Sequence, residues 1–139
     1  MSIFHVSENP KLKILKPRIP NNILTNEGYE DNTIPRVCFS KSIDQCLMAT
    51  GKLLEEKILY VYEPKEYSVL NILENYELIK NNLVPDAKYT GELWVLNEVK
   101  IKLLGEIKIV ECKDWTQYMV IYNNENNYRL HGLMSFMWE

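Results

Sequence analysis

The stretch from Val99 to Ile109 most narrows what this chain can fold into. Val99, Ile101 and Leu103 alternate with Lys100 and Lys102, and Ile107 and Ile109 alternate again around Lys108. Period-two alternation predicts a strand with one wet face and one buried face. Such a strand belongs in an antiparallel sheet, because parallel strands are covered on both sides. Gly105 interrupts the pattern and reads as a bulge or a turn that bends the ribbon.

Shorter runs fill in the rest. Ile3-Phe4-His5-Val6 fits an opening strand, and Pro17 and Pro20 stop any regular element after Leu12 and Ile14. Residues Asn21 to Pro35 form a long polar loop, a type that is usually functional or mobile in compact domains. Arg36-Val37-Cys38-Phe39-Ser40 reads as a strand running directly into a helix. Ser42 followed by Gln45 three residues on is a capping-box pattern, and Ile43, Cys46, Leu47 and Leu54 repeat at helical spacing. Ile58 to Tyr62 is a β-branched and aromatic strand ended by Glu63-Pro64. Residues Val69 to Leu83 fit either one helix or a strand and a turn. After Pro85-Asp86 the signal turns to β, with Leu93-Trp94-Val95-Leu96 as a buried strand and Tyr118 to Tyr122 as another. The pattern predicts an α+β fold: a single domain over residues 1–139, mainly antiparallel sheet, with one or two helices.

Composition narrows the class. Of 139 residues 46% are hydrophobic and 25% charged, the balance of a globular domain, and the net charge of -3 argues against a general nucleic-acid coat. No apolar run approaches the ~20 residues that span a bilayer, so no membrane association is expected. The first residues lack a basic start followed by an apolar stretch, so no signal peptide is expected. Cys38, Cys46 and Cys112 are odd in number and widely spaced, which suits unpaired thiols in a reducing cytoplasm and disfavours a metal site. Each reads first as a small buried hydrophobe. The tail from Leu130 to Trp138 is apolar enough that docking on the body or on a second copy is expected, the latter giving a homo-oligomer.

Three places can carry chemistry. His5 ends the opening strand with Ser7 two residues on, and only two histidines exist in the chain. Cys38-Phe39-Ser40 sits at a strand-to-helix junction, where backbone N–H groups and small side chains meet ligands. Tyr89-Thr90-Gly91-Glu92 places a carboxylate at the mouth of an apolar strand. Each also has a plainer reading: a half-buried histidine bonded to a carbonyl, a strand end with a helix cap, a solvated turn. Lys11, Lys13, Lys16 and Arg18 form a basic stretch that is either a solvated face or the rim of a phosphate-binding cleft. Trp94 and Trp115 read as core.

In their order these residues resemble the ADP-ribosyltransferase fold, on the branch of the poly(ADP-ribose) polymerases and rifampin ADP-ribosyltransferases. Phe4-His5-Val6-Ser7 is similar to that branch's opening histidine strand, and Val37-Cys38-Phe39-Ser40 to its aromatic strand entering a helix. Ile58 to Pro64 is similar to the strand ending in Glu-Pro of the small antibiotic-modifying members. The run from Glu98 through Gly105-Glu106 to Asp114-Trp115 resembles a later strand pair, and Glu92 falls where the polymerase branch has an acidic residue.

The resemblance implies two small sheets around a cleft that takes NAD as substrate, without a metal. It implies His5 and Glu92 as catalytic residues, with His5 donating to the adenosine-side ribose and Glu92 beside the nicotinamide ribose. It implies Ser7 or Ser40 on the amide or a ribose, and Arg18 on the pyrophosphate. The family's stacking tyrosine falls at Cys38, which cannot stack, and Phe39 faces the other side of the strand; Tyr29 in the long loop is the other aromatic available. The expected activity is transfer of ADP-ribose to an acceptor that the resemblance leaves open. The alternative is a catalytically silent α+β module of the same fold that binds a ligand or a protein.

Overall fold

The computed structural model describes residues 2–20, 30–49, 58–111, 116–122 and 128–132. In chain order its elements are β1 (His5–Ser7), β2 (Ile14–Leu15), β3 (Val37–Ser40), α1 (Ile43–Ala49), β4 (Ile58–Pro64), β5 (Ile72–Leu73), α2 (Asn75–Lys80), α3 (Ala87–Thr90), β6 (Glu92–Val95), β7 (Val99–Glu111), β8 (Thr116–Tyr122) and β9 (Tyr128–Gly132). The strands make two sheets. One runs β1-β4-β7-β8-β9, with β2 also on β7; the other runs β3-β6-β5. Every strand pair is antiparallel. The fold is α+β with mainly antiparallel sheets, as expected from the mixture of strands and helices.

The interrupted alternation becomes a single 13-residue strand, β7, so Gly105 is not a turn. Val61 of β4 pairs Gly105, but the next residue, Tyr62, pairs Leu103, which leaves Leu104 as an extra residue on β7. A one-residue bulge exchanges the two faces of a strand. Val99, Ile101 and Leu103 therefore pack with Tyr62 toward the small sheet, whereas Ile107 packs with Leu59, Val61 and α1's Leu47 on the opposite side. One odd-numbered apolar series thus serves two cores.

The small sheet is buried on both faces. Val37, Phe39, Leu93 and Val95 face the large sheet. Trp94 faces the other way, under Leu78 of α2, Val84 and Ala87 of α3, with Cys38 and Leu73 beside it. Fully burying one of the valine, leucine or phenylalanine side chains among these contributes roughly 1.5–3 kcal/mol.

Among the described residues three short helices stand where one or two were expected. Ser42 caps α1 as its pattern suggested: its Oγ accepts the Gln45 N–H at 3.2 Å and its hydroxyl donates to Gln45 Oε1 at 3.1 Å. The ambiguous segment after Val69 divides into β5 and α2, and Glu77 accepts the Glu74 N–H at 3.5 Å at the start of that helix. The additional helix is α3, a single turn before β6. It ends at Gly91, whose φ of 62° lies in the left-handed region, with the Gly91 N–H bonded to Ala87 O at 3.0 Å. A Cβ on Gly91 would also meet the Gln45 side chain. Among the described residues, no helix is long and apolar enough to cross a membrane.

Candidate functional site

The two sheets part at β1. Phe4 is bridged to Ser40, exchanging N–H···O bonds of 2.9 Å in each direction, but the next residue, His5, already pairs with Tyr62 of β4. Further along the same edge of β3, Arg18 and Arg36 form a second bridge, with bonds of 3.0 and 3.1 Å. Backbone groups of alternate residues point to the same side of a strand. Those of Cys38, midway between the two bridges, therefore face the gap between β1 and the Arg18 segment.

His5 stands at that gap. Its Nδ1 lies 3.0 Å from Cys38 O, and since a carbonyl only accepts, Nδ1 carries the proton. Its ring meets Phe39 edge-on, with centroids 5.9 Å apart. Burial lowers the pKa of His5, the bond to Cys38 opposes this, and the charge of Arg18 lowers it further. The neutral ring thus leaves Nε2 as an acceptor. This reverses the donating sense that the resemblance implied.

On the small sheet Ser40 pairs directly with Glu92, and Cys38 with Trp94. Phe4, Ser40 and Glu92 form one row across three strands, so Phe4 and Glu92 are roughly 10 Å apart through the backbone at the usual strand spacing. Glu92 Oε2 accepts from Trp94 Nε1 at 2.6 Å. Asn75 of α2, itself buried, donates to Ala87 O at 2.9 Å and to Glu92 O at 2.7 Å, fixing the strand start against both helices. Burial pushes the Glu92 carboxyl above the usual glutamate range. The Trp94 N–H opposes that shift, Glu30 and Asp86 add to it, and Arg36 opposes it.

Arg36 is the residue that sequence reasoning missed. Its side chain is fully buried, with the guanidinium 4.0 Å from the Trp94 ring centroid. Nη2 bonds Glu30 Oε2 at 2.8 Å, while Nη1 bonds the carbonyls of Asp31 and Ile34 at 2.8 and 3.1 Å. The available signal was its position: Arg36, Cys38 and Ser40 share one face of β3. A charge on a face that also carries buried Trp94 demands a partner.

The other expected site residues scatter. Ser40 is 3% exposed and lies against Cys46. Arg18 is exposed at the rim of the gap, close enough to act on His5. Ser7 lies at the far end of β1, opposite Tyr60, where its Oγ accepts the Asn9 N–H at 3.1 Å. Tyr29, Cys112, Trp115 and the apolar tail beyond Gly132 fall outside the described residues. A surface pocket of about 400 Å³ lies elsewhere, between α2 and α3, lined by Ile79, Asn82, Val84, Pro85 and Lys88.

Both described cysteines are free thiols, and burial pushes each up to about 12. Thiolate is the reactive form, so these two are inert in the folded protein. Iodoacetamide at mildly alkaline pH is expected to leave Cys38 and Cys46 unmodified in the native state and to alkylate both in urea, as read by peptide mass mapping. Native labelling of Cys38 would mean that the gap admits reagent as far as its thiol. Comparison with protein-family models, with curated proteins and with solved structures finds no match to this chain.

Proposed function

We propose that this protein is ADP-ribosyltransferase-like and binds NAD along the edge of β3, at the gap between β1 and the Arg18 segment, with the nicotinamide ribose reaching Glu92 on the face of the small sheet turned away from the large one. The observation that carries the reading is the departure of β1 from β3 at Phe4–His5, which leaves the Cys38 backbone facing a gap flanked by His5 and Arg18. In this reading His5 Nε2 accepts a hydrogen bond from a ribose hydroxyl, and Arg18 offsets part of the negative charge of the pyrophosphate. The glycosidic bond from C1′ to nicotinamide breaks with the electron pair leaving on nicotinamide. Glu92 as carboxylate stabilises the oxocarbenium character at C1′ while a lone pair of the acceptor forms the new bond, and the acceptor gives up its proton to water.

A second reading, a silent binding module, is favoured by Cys38, which offers no aromatic face at the stacking position. Calorimetric titration separates the alternatives. NAD is expected to bind, and His5→Ala to weaken it by roughly tenfold, the worth of one good hydrogen bond. Absence of heat at millimolar NAD would remove the dinucleotide reading. Binding without release of nicotinamide would leave the silent module.

A further inference from the structure

We propose that Trp94 and Arg36 are positioning residues for Glu92: the indole N–H fixes the carboxylate, and the guanidinium fixes the indole. The inference rests on the reading of Glu92 given above, but its geometry is independent of any ligand.

A glutamate at a strand start ordinarily swings between rotamers, with water as its partner. Here Oε2 is held by Trp94 Nε1 at 2.6 Å, a short bond of the kind that an ionised acceptor forms. The indole cannot turn away, because Trp94 is 0% exposed, packed under Leu78, Val84 and Ala87 on one side and covered by Arg36 at 4.0 Å on the other. Arg36 in turn is fixed by three separate acceptors, Glu30 Oε2 and the carbonyls of Asp31 and Ile34. The three side chains sit on one face of the sheet, Arg36 just before β3 and Trp94 and Glu92 two residues apart on β6. One carboxylate oxygen is thereby held. The arrangement also links Glu92 to the segment just before β3, since Glu30 and Asp31 belong to the polar loop that leads into it.

The charged and titratable groups that act on Glu92 are Glu30 and Arg36 before β3, Cys38 on β3, and Asp86 at the start of α3. Only Arg36 among them is positive. Its charge favours the ionised carboxylate, while Glu30 and Asp86 oppose it.

The test begins with the unmodified protein and needs no ligand. In two-dimensional NMR the Trp94 indole N–H resonance is expected to shift with pH along a single titration whose midpoint lies above the ordinary glutamate value. The shift is expected to vanish in Glu92→Gln. An indole resonance that is flat across the acid range, or that titrates equally in Glu92→Gln, overturns the positioning. The second arm is Trp94→Phe, which keeps an aromatic ring beneath Arg36 and removes only the donor. Its kcat for release of nicotinamide from NAD is expected to fall about 100-fold with KM unchanged, the scale of a small misplacement of a catalytic group. An unchanged kcat overturns the proposal while leaving Glu92 as the catalytic residue. If the unmodified protein releases no nicotinamide, the transferase reading fails, and the indole titration alone decides whether Trp94 positions the carboxylate.

Discussion

Arg36→Ala is expected to lower stability by about 3–5 kcal/mol, the cost of breaking a buried ion pair by removing one partner. The guanidinium is fully buried, and the Glu30 carboxylate opposite it is only 16% exposed, so water does little to screen the charge left behind. Two carbonyls, of Asp31 and Ile34, lose their donor at the same time. The Trp94 face loses its cover, opening a void against the largest ring of that core. Arg36→Met separates these terms, because it refills most of the volume and still abandons Glu30. The expected order of stability is therefore wild type, then Arg36→Met, then Arg36→Ala. Adding Glu30→Gln to Arg36→Met is expected to recover part of the loss, since it removes the stranded charge. Urea unfolding followed by tryptophan fluorescence measures all four proteins. An Arg36→Ala midpoint equal to wild type would mean that the pair contributes nothing.

Arg36 also shows why sequence reading reached some of this molecule and not the rest. Strand β7 was legible, because Lys100 and Lys102 between Val99, Ile101 and Leu103 specify one wet face. Its change of face was not. A bulge at Leu104 depends on how β4 pairs with β7, and nothing local to Gly105 distinguishes a bulge from a turn. Helix α1 was legible from Ser42 and Gln45, whereas α3 is one turn long and too short for any period to declare itself. Gly91 was seen as part of a strand entrance, although its left-handed φ marks the end of a helix.

At the site, the order of His5, Cys38, Phe39 and Glu92 along the chain was visible. What each one touches was not. That His5 bonds Cys38 O follows from β1 leaving one sheet for the other, a property of tertiary pairing. A charged residue at a strand entrance is normally solvated, and only the tertiary packing of Trp94 against Arg36 marks this one as buried. The direction of the His5 bond was reversed for the same reason: the carbonyl that claims Nδ1–H lies 33 residues away.

Glu92→Gln is expected to reduce NAD cleavage by about 100- to 10,000-fold, the range for removing a group that acts on charge or a proton in the transition state. The substitution is close to isosteric, and its amide oxygen can still accept the Trp94 N–H, so the fold is expected to persist. Stability supplies an internal control. Burial raises the Glu92 carboxyl above its unfolded value of about 4.3, so the native state holds that proton more tightly than the unfolded chain. The ionised side chain therefore costs stability at neutral pH, and the cost is relieved as pH falls through the raised native value toward the unfolded one. His5 acts in the opposite direction: its lowered native value means that the unfolded chain binds the proton more readily below about 6.5, so acid destabilises through His5. Glu92→Gln removes the first contribution and keeps the second. The variant is expected to be as stable as wild type or more so at neutral pH, and to lose stability more steeply on acidification. Retained nicotinamide release in a folded Glu92→Gln protein would take Glu92 out of the chemistry. A variant destabilised at neutral pH would show instead that the ionised carboxylate, held by Trp94 and Arg36, stabilises the native state despite its burial.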